Sequence, residues 1–134
     1  MTKFFDFISA YKDRLTIIVS GCAESFGALG GQTNGVLQDL GLSKYKSGNL
    51  ENQAYLAVLD RGKIISEETD FKLLTTGRTI DAINYSVTAN GIKEGGFSEI
   101  TFDDNRCDFY EGGVSFFIYD NVNGERIATA TVYE

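Results

Sequence analysis

The sequence predicts an α+β fold in which two short helices accompany about seven strands joined by glycine turns. Three observations predict it. Apolar residues near the start recur at helical spacing, whereas most later apolar runs either alternate with polar residues or form short continuous blocks. Fifteen glycines, ten phenylalanines, seven tyrosines and no proline suit short strands on a pleated, half-buried surface. With 134 residues, 43% of them hydrophobic and 23% charged, the chain fits a single globular domain over 1–134, and no linker, composition break or internal repeat divides it.

The elements follow in order. Phe4, Phe7, Ile8 and Tyr11 form an apolar stripe, with Lys3, Asp6, Ser9, Lys12 and Asp13 mostly on the other side, which predicts an amphipathic helix over 3–12 with Thr2 as its N-cap. Leu15-Thr16-Ile17-Ile18-Val19 is apolar on both faces and reads as a central buried strand. Gly21 through Gly31 reads as a glycine-rich loop. Thr33 then caps a short helix carrying Val36, Leu37 and Leu40, and Gly41 stands where a left-handed C-cap is common. Ala54–Leu59 is a second apolar strand, turned by Asp60-Arg61-Gly62 into Lys63–Ser66 as a hairpin. Residues 67–81 carry no decisive pattern. Ile83–Ala89 and Phe97–Phe102 alternate as strands with one wet face. Gly112-Gly113 precede a strand over Val114–Tyr119, whose Phe116-Phe117-Ile118-Tyr119 run reads as core. Asn123-Gly124 closes a hairpin turn into Ile127–Tyr133, because both turn residues tolerate positive φ. Gly41, Gly62 and Gly113 are thus the expected structural glycines.

Charge and composition exclude several functions. Twelve basic and nineteen acidic residues give a net charge of −7 with the basic groups scattered singly, so a polyanion is repelled and nucleic acid is not an expected partner. No apolar run approaches the ~20 residues that cross a bilayer, so no membrane insertion is expected. The opening residues lack the apolar stretch and cleavage site of a signal peptide, which predicts synthesis in the cytoplasm without an export signal.

Chemistry is equally constrained. The chain has no histidine, which removes the usual acyl-transfer triads and the commonest zinc ligand. Cys22 and Cys107 are too few for a disulfide framework; two buried thiols is the favoured reading, with a single bridge left open. Cys22 has acidic Glu24 nearby and no cation to activate it. Glu67-Glu68-Asp70, Asp103-Asp104 and Asp120 read as solvated turns rather than a catalytic pair or a calcium site. Gly27, Gly30 and Gly31 match no nucleotide fingerprint. The expectation is a protein that is not an enzyme and takes no metal or cofactor, with Tyr45, Tyr110 and Tyr133 as candidate interface residues.

Phe7-Ile8 through Lys12-Asp13-Arg14, Leu15–Val19, Gln38-Asp39-Leu40-Gly41, and Tyr55–Leu59 with Arg61-Gly62 follow one another as helix, turn, strand, helix ending Leu-Gly, and strand closing at Arg-Gly. In this order residues 4–66 resemble the interleukin-like EMT inducer domain, also called the GG or PANDER-like domain. The family places its remaining strands before that second helix. Here the similar pieces, Ser86–Gly91, Ile100-Thr101-Phe102 and Gly113-Val114-Ser115 through Val132, come after it, so the chain resembles a circularly permuted version. The resemblance implies two antiparallel sheets packed as a sandwich-like core with flanking helices, and Met1 and Glu134 near each other.

Members of that family include secreted signalling proteins, the sugar-binding stem domain of a glycosyltransferase and a connector protein of phage long tail fibres. The family's acidic pair after the first strand becomes Ala23-Glu24 here, and its Arg and Trp positions become Asn52 and Tyr55. Glu24, Asn52 and Tyr55 are therefore the tentative ligand-binding residues if a glycan is bound. The leading expectation is a non-enzymatic protein-interaction module, a phage virion structural protein (capsid decoration, fibre or tail component) that is virion-associated and contacts capsid or tail proteins or itself. The alternatives are a carbohydrate-binding module and an acidic immunity-type inhibitor of a bacterial toxin.

Overall fold

A computed structural model describes the backbone of residues 2–22, 31–44, 53–71, 73–80, 83–90, 97–102, 105–111, 114–122 and 124–132, and the side chains of 3–21, 31, 33–44, 55–69, 114–122 and 124. Helix α1 (Thr2–Tyr11) runs through a 3-10 turn (Lys12–Arg14) into β1 (Leu15–Cys22). Helix α2 (Gly31–Asp39) precedes β2 (Gln53–Asp60), β3 (Lys63–Phe71), β4 (Leu73–Ile80), β5 (Ile83–Asn90), β6 (Phe97–Phe102), β7 (Asn105–Glu111), β8 (Val114–Asp120) and β9 (Glu125–Val132). The strands form a five-stranded sheet ordered β3-β2-β1-β8-β9 and a four-stranded sheet ordered β4-β5-β6-β7, both antiparallel throughout. Among the described residues, two α-helices and two antiparallel sheets make an α+β fold.

The doubly apolar stretch after the first helix is the middle strand of the larger sheet. Ile17 pairs with Leu59 on one side and Ile118 on the other, and Val19 with Ala57 and Phe116. These residues share a face with Tyr55 and Val114, and Phe5, Ile8, Val36, Leu37, Leu40 and Leu42 close over it from the helical layer. Phe116, fully buried, meets Phe4 and Phe5 edge-on with ring centroids 6.1 and 5.8 Å away. The opposite face of the same sheet carries Ile18, Leu56, Val58 and Phe117, all buried as well. Burial on both faces is why these strands read as apolar blocks rather than alternating ones.

Local turn chemistry sets the ends of the elements. Gly41 has φ +85°, its N–H donates to the Gln38 carbonyl, and the Leu42 N–H donates to the Leu37 carbonyl, which together form a Schellman cap on α2. Leu37 and Leu42 both lie in the core, supplying the apolar contact that accompanies such a cap. Between β2 and β3, Arg61 (φ +51°) and Gly62 (φ +84°) form a two-residue turn with positive φ at both positions, the twist that antiparallel strands prefer. The sequence reading of Gly41 and Gly62 agrees with this, and Gly113 lies outside the described residues.

Several expectations differ from the structure. Residues 67–71 complete β3 instead of forming a polar turn, and 73–80 and 105–111 are additional strands. Helix α2 starts at Gly31, so Thr33 is not a cap but a residue within the helix, only 1% exposed. Tyr11, expected on the buried stripe, is 45% exposed; the helix ends there, and its ring packs on Phe7 and under the Arg14 guanidinium. Phe5 takes the core position instead. Met1 and Glu134, expected to be neighbours, lie outside the described residues.

Candidate functional site

Two polar constellations stand out, each built where strands of the larger sheet meet a turn. The first lies at the start of β1. The Arg61 N–H of the β2–β3 turn donates to the Leu15 carbonyl, and the Asn121 N–H of the β8–β9 turn donates to the Arg14 carbonyl. Side chains extend this link: Asn121 Nδ2 donates to the Arg14 carbonyl (3.0 Å) and to Thr16 Oγ1 (2.9 Å), Thr16 Oγ1 donates to Asp60 Oδ1 (3.4 Å), and Arg61 Nη1 pairs with the same Asp60 oxygen at 2.8 Å. The Asp120 side chain, 1% exposed, pairs with Arg14 Nη2 at 3.0 Å, and its Oδ1 accepts the Val122 N–H at 2.9 Å. Arg14 is also held over the Tyr11 ring at 4.5 Å. A buried carboxylate needs such partners, because ionic groups out of water are costly unless paired and hydrogen-bonded.

The second constellation centres on Glu67. Its register position opposite Ala57 puts it on the helix-facing side of β3, diagonal to Tyr55. Glu67 Oε2 accepts three bonds: from the Tyr55 hydroxyl at 2.7 Å, the Ser43 N–H at 2.8 Å and the Lys44 N–H at 2.9 Å. One carboxylate oxygen thus joins a core tyrosine, an edge strand and the segment that follows the α2 cap. The reading of Glu67-Glu68-Asp70 as a solvated turn is corrected here: all three are strand residues, and Glu67 is bonded inward. Asp120 is likewise not a solvated group. It does cap its own turn, as short acidic side chains do, but from a buried position. Asp103 and Asp104 lie outside the described residues.

The tentative ligand residues do not come together among the described residues. Tyr55 has no exposed surface at all, and its hydroxyl is bonded to Glu67, so its ring offers nothing to a ligand arriving from solvent. Glu24 and Asn52 lie outside the described residues. Cys22 belongs to β1 and Cys107 to β7 of the other sheet, with both side chains outside the described set. Tyr110 lies on β7, and Tyr45 and Tyr133 are outside the described residues. Among the described residues no group of three or more His, Cys, Asp or Glu is arranged to hold a metal ion, and no helix is long and apolar enough to cross a membrane.

Sequence reasoning missed Glu67 as a bonding centre. The alternation Tyr55-x-Ala57 against Glu67 becomes visible only once the hairpin turn fixes the β2–β3 register, including the bulge beside Leu59. Comparison of the chain with family profiles, curated proteins and solved structures finds no match in any of the three.

Proposed function

We propose that the protein is a non-enzymatic protein-interaction module, used as a structural component of a phage particle. The observation that supports the non-catalytic reading concerns the three acids of the two polar constellations: among the described residues, Asp60, Glu67 and Asp120 each hold a turn, a strand edge or a helix end in place. General acid–base chemistry needs a carboxyl group free to meet a substrate. The virion assignment rests on the resemblance to a family that includes a phage tail-fibre connector. The pieces carrying that resemblance fall on α1, β1, the capped end of α2, and β2 with its Arg61-Gly62 turn.

In this reading the chain is one domain, a circularly permuted member of that family in which the two sheets pack face to face. Support comes from the larger sheet's second face, buried although the helices lie on the first, and from Cα atoms of β1 and β2 that come within 8 Å of β5. Such a plate, supported on both faces, is stiff and suits a building block. A glycan site at Tyr55 would require its ring to leave the core.

The test is mass spectrometry of gradient-purified particles from the strain that encodes the chain. Recovery in the particle band in stoichiometric amount is expected. A chain that stays wholly in the soluble fraction, free of any particle protein, overturns the assignment.

A further inference from the structure

Among the described residues the two sheets have four edge strands, and three carry features that discourage pairing with another chain. Strand β3 has a bulge that leaves Ile65 unmatched and the charged residues Lys63, Glu67 and Glu68, with Glu67 drawing the Ser43–Lys44 segment against it. Strand β7 has a bulge that leaves Cys107 unmatched, flanked by Arg106 and Asp108. Strand β4 pairs regularly along β5 but carries Gly77, which weakens a strand, and the charged Arg78 in its second half. Bulges, charges and weakened strands are the usual protection of a sheet edge.

Strand β9 is different. Its bulge and its charges, Glu125 and Arg126, are confined to the turn end, and Ala128-Thr129-Ala130-Thr131-Val132 then runs regularly along β8 with no charge, glycine or proline. Among the described residues no strand pairs with its outer side. A regular uncharged edge offers a row of backbone donors and acceptors to another strand.

From this edge we propose that the protein forms a two-fold homodimer by antiparallel pairing of β9 with β9 of a second copy, joining the two five-stranded sheets. The sequence is self-complementary about Ala130. An axis through paired Ala130 residues sets Thr129 opposite Thr131 and Ala128 opposite Val132, and both pairings respect the faces on which β8 holds these residues: Ala128, Ala130 and Val132 with Ile118, Phe116 and Val114, and Thr129 and Thr131 with Phe117 and Ser115. Threonine pairs across strands are favourable. A symmetric, closed interface of this kind uses the same patch twice. The partner, a second copy, deepens the interaction reading proposed above.

Light scattering of the wild-type chain over a dilution series tests the stoichiometry, and cysteine cross-linking tests the register. In a Cys22→Ser, Cys107→Ser background, Ala130→Cys places the two thiols at the axis, where opposed Cα atoms of an antiparallel pair stand ~4.5–5.5 Å apart, within disulfide range. Oxidation is expected to give a covalent dimer with Ala130→Cys, little with Ala128→Cys alone, and a heterodimer when Ala128→Cys and Val132→Cys proteins are mixed. A wild-type chain that scatters as a monomer at every concentration overturns the proposal, as does cross-linking that is equal at positions 128 and 130. A monomer still found in particles would sink the dimer alone. A dimer absent from particles would sink the virion reading alone.

Discussion

Removing the Glu67 carboxylate should destabilise the fold through Tyr55 rather than through lost surface charge. In Glu67→Ala, the Ser43 and Lys44 amides lose their acceptor, but those bonds are solvent-exposed and water replaces it. Each such loss costs about 0.5 kcal/mol, the low end for a net hydrogen bond. The Tyr55 hydroxyl is different, since its residue is fully buried and the bond is only 2.7 Å long. Depriving a buried hydroxyl of its charged acceptor costs roughly 1–3 kcal/mol. The expected total is about 2–4 kcal/mol, a sizeable part of the ~5–15 kcal/mol that holds a domain together. Tyr55→Phe alone should cost about 1 kcal/mol, and the double variant less than the sum by about 1 kcal/mol, because its second change removes the stranded group. Urea unfolding followed by circular dichroism of the four proteins measures the cycle. Additivity within ~0.3 kcal/mol would refute the assignment of Glu67 as the acceptor that Tyr55 needs.

Three further outcomes are expected from the same assay. Asp120→Asn should cost about 2 kcal/mol: the amide oxygen keeps the Val122 N–H, but its NH2 group meets the Arg14 guanidinium donor to donor, and the partial exposure of Arg14 keeps the loss below that of a fully buried pair. Phe116→Ala should cost roughly 3–5 kcal/mol, since the ring is fully buried between Phe4, Phe5 and the middle strand, and a cost under 1 kcal/mol would contradict that packing. Gly41→Ala and Gly62→Ala should each lose about 1–2 kcal/mol to left-handed strain. At Gly62 the methyl would stand 2.9 Å from Asp13 Oδ1, the end of an exposed side chain that can turn away, and at Gly41 it would meet Ile64 at 3.4 Å, so backbone strain sets both losses.

Features set by neighbours in sequence were legible, and features set by distant strands were not. Gly41 and Gly62 were found because positive φ is a local demand that glycine meets cheaply. The middle position of β1 was found because burial on both faces leaves no polar residue to alternate with. Strand β7 was missed: Arg106 and Asp108 interrupt its apolar residues, and the extra residue at Cys107 breaks the period of two on which the reading depends. In β4, Leu73-Leu74 and Thr75-Thr76 blur the same period, and Gly77 lowers strand propensity. The acids of β3 imitate a turn because an edge strand tolerates charge that an inner strand does not. The start of α2 has no sequence signature, since Gly31 begins it and Gly35 lies within it, both poor helix formers.

The site reading failed at Tyr55 for a related reason. An aromatic residue in an apolar strand fits a binding surface and a core equally well on sequence alone, and the acid that decides between them lies on another strand. Once the Arg61-Gly62 turn fixes the hairpin, Glu67 must lie beside Tyr55 on the helix-facing side, and a tyrosine whose hydroxyl finds a carboxylate there can be buried whole. The same hairpin makes β3 an edge that the chain itself engages, through Glu67 and the amides of Ser43 and Lys44. The larger sheet is thereby tied down at one edge and left regular at the other, so any partner that extends it by strand pairing is directed to β9.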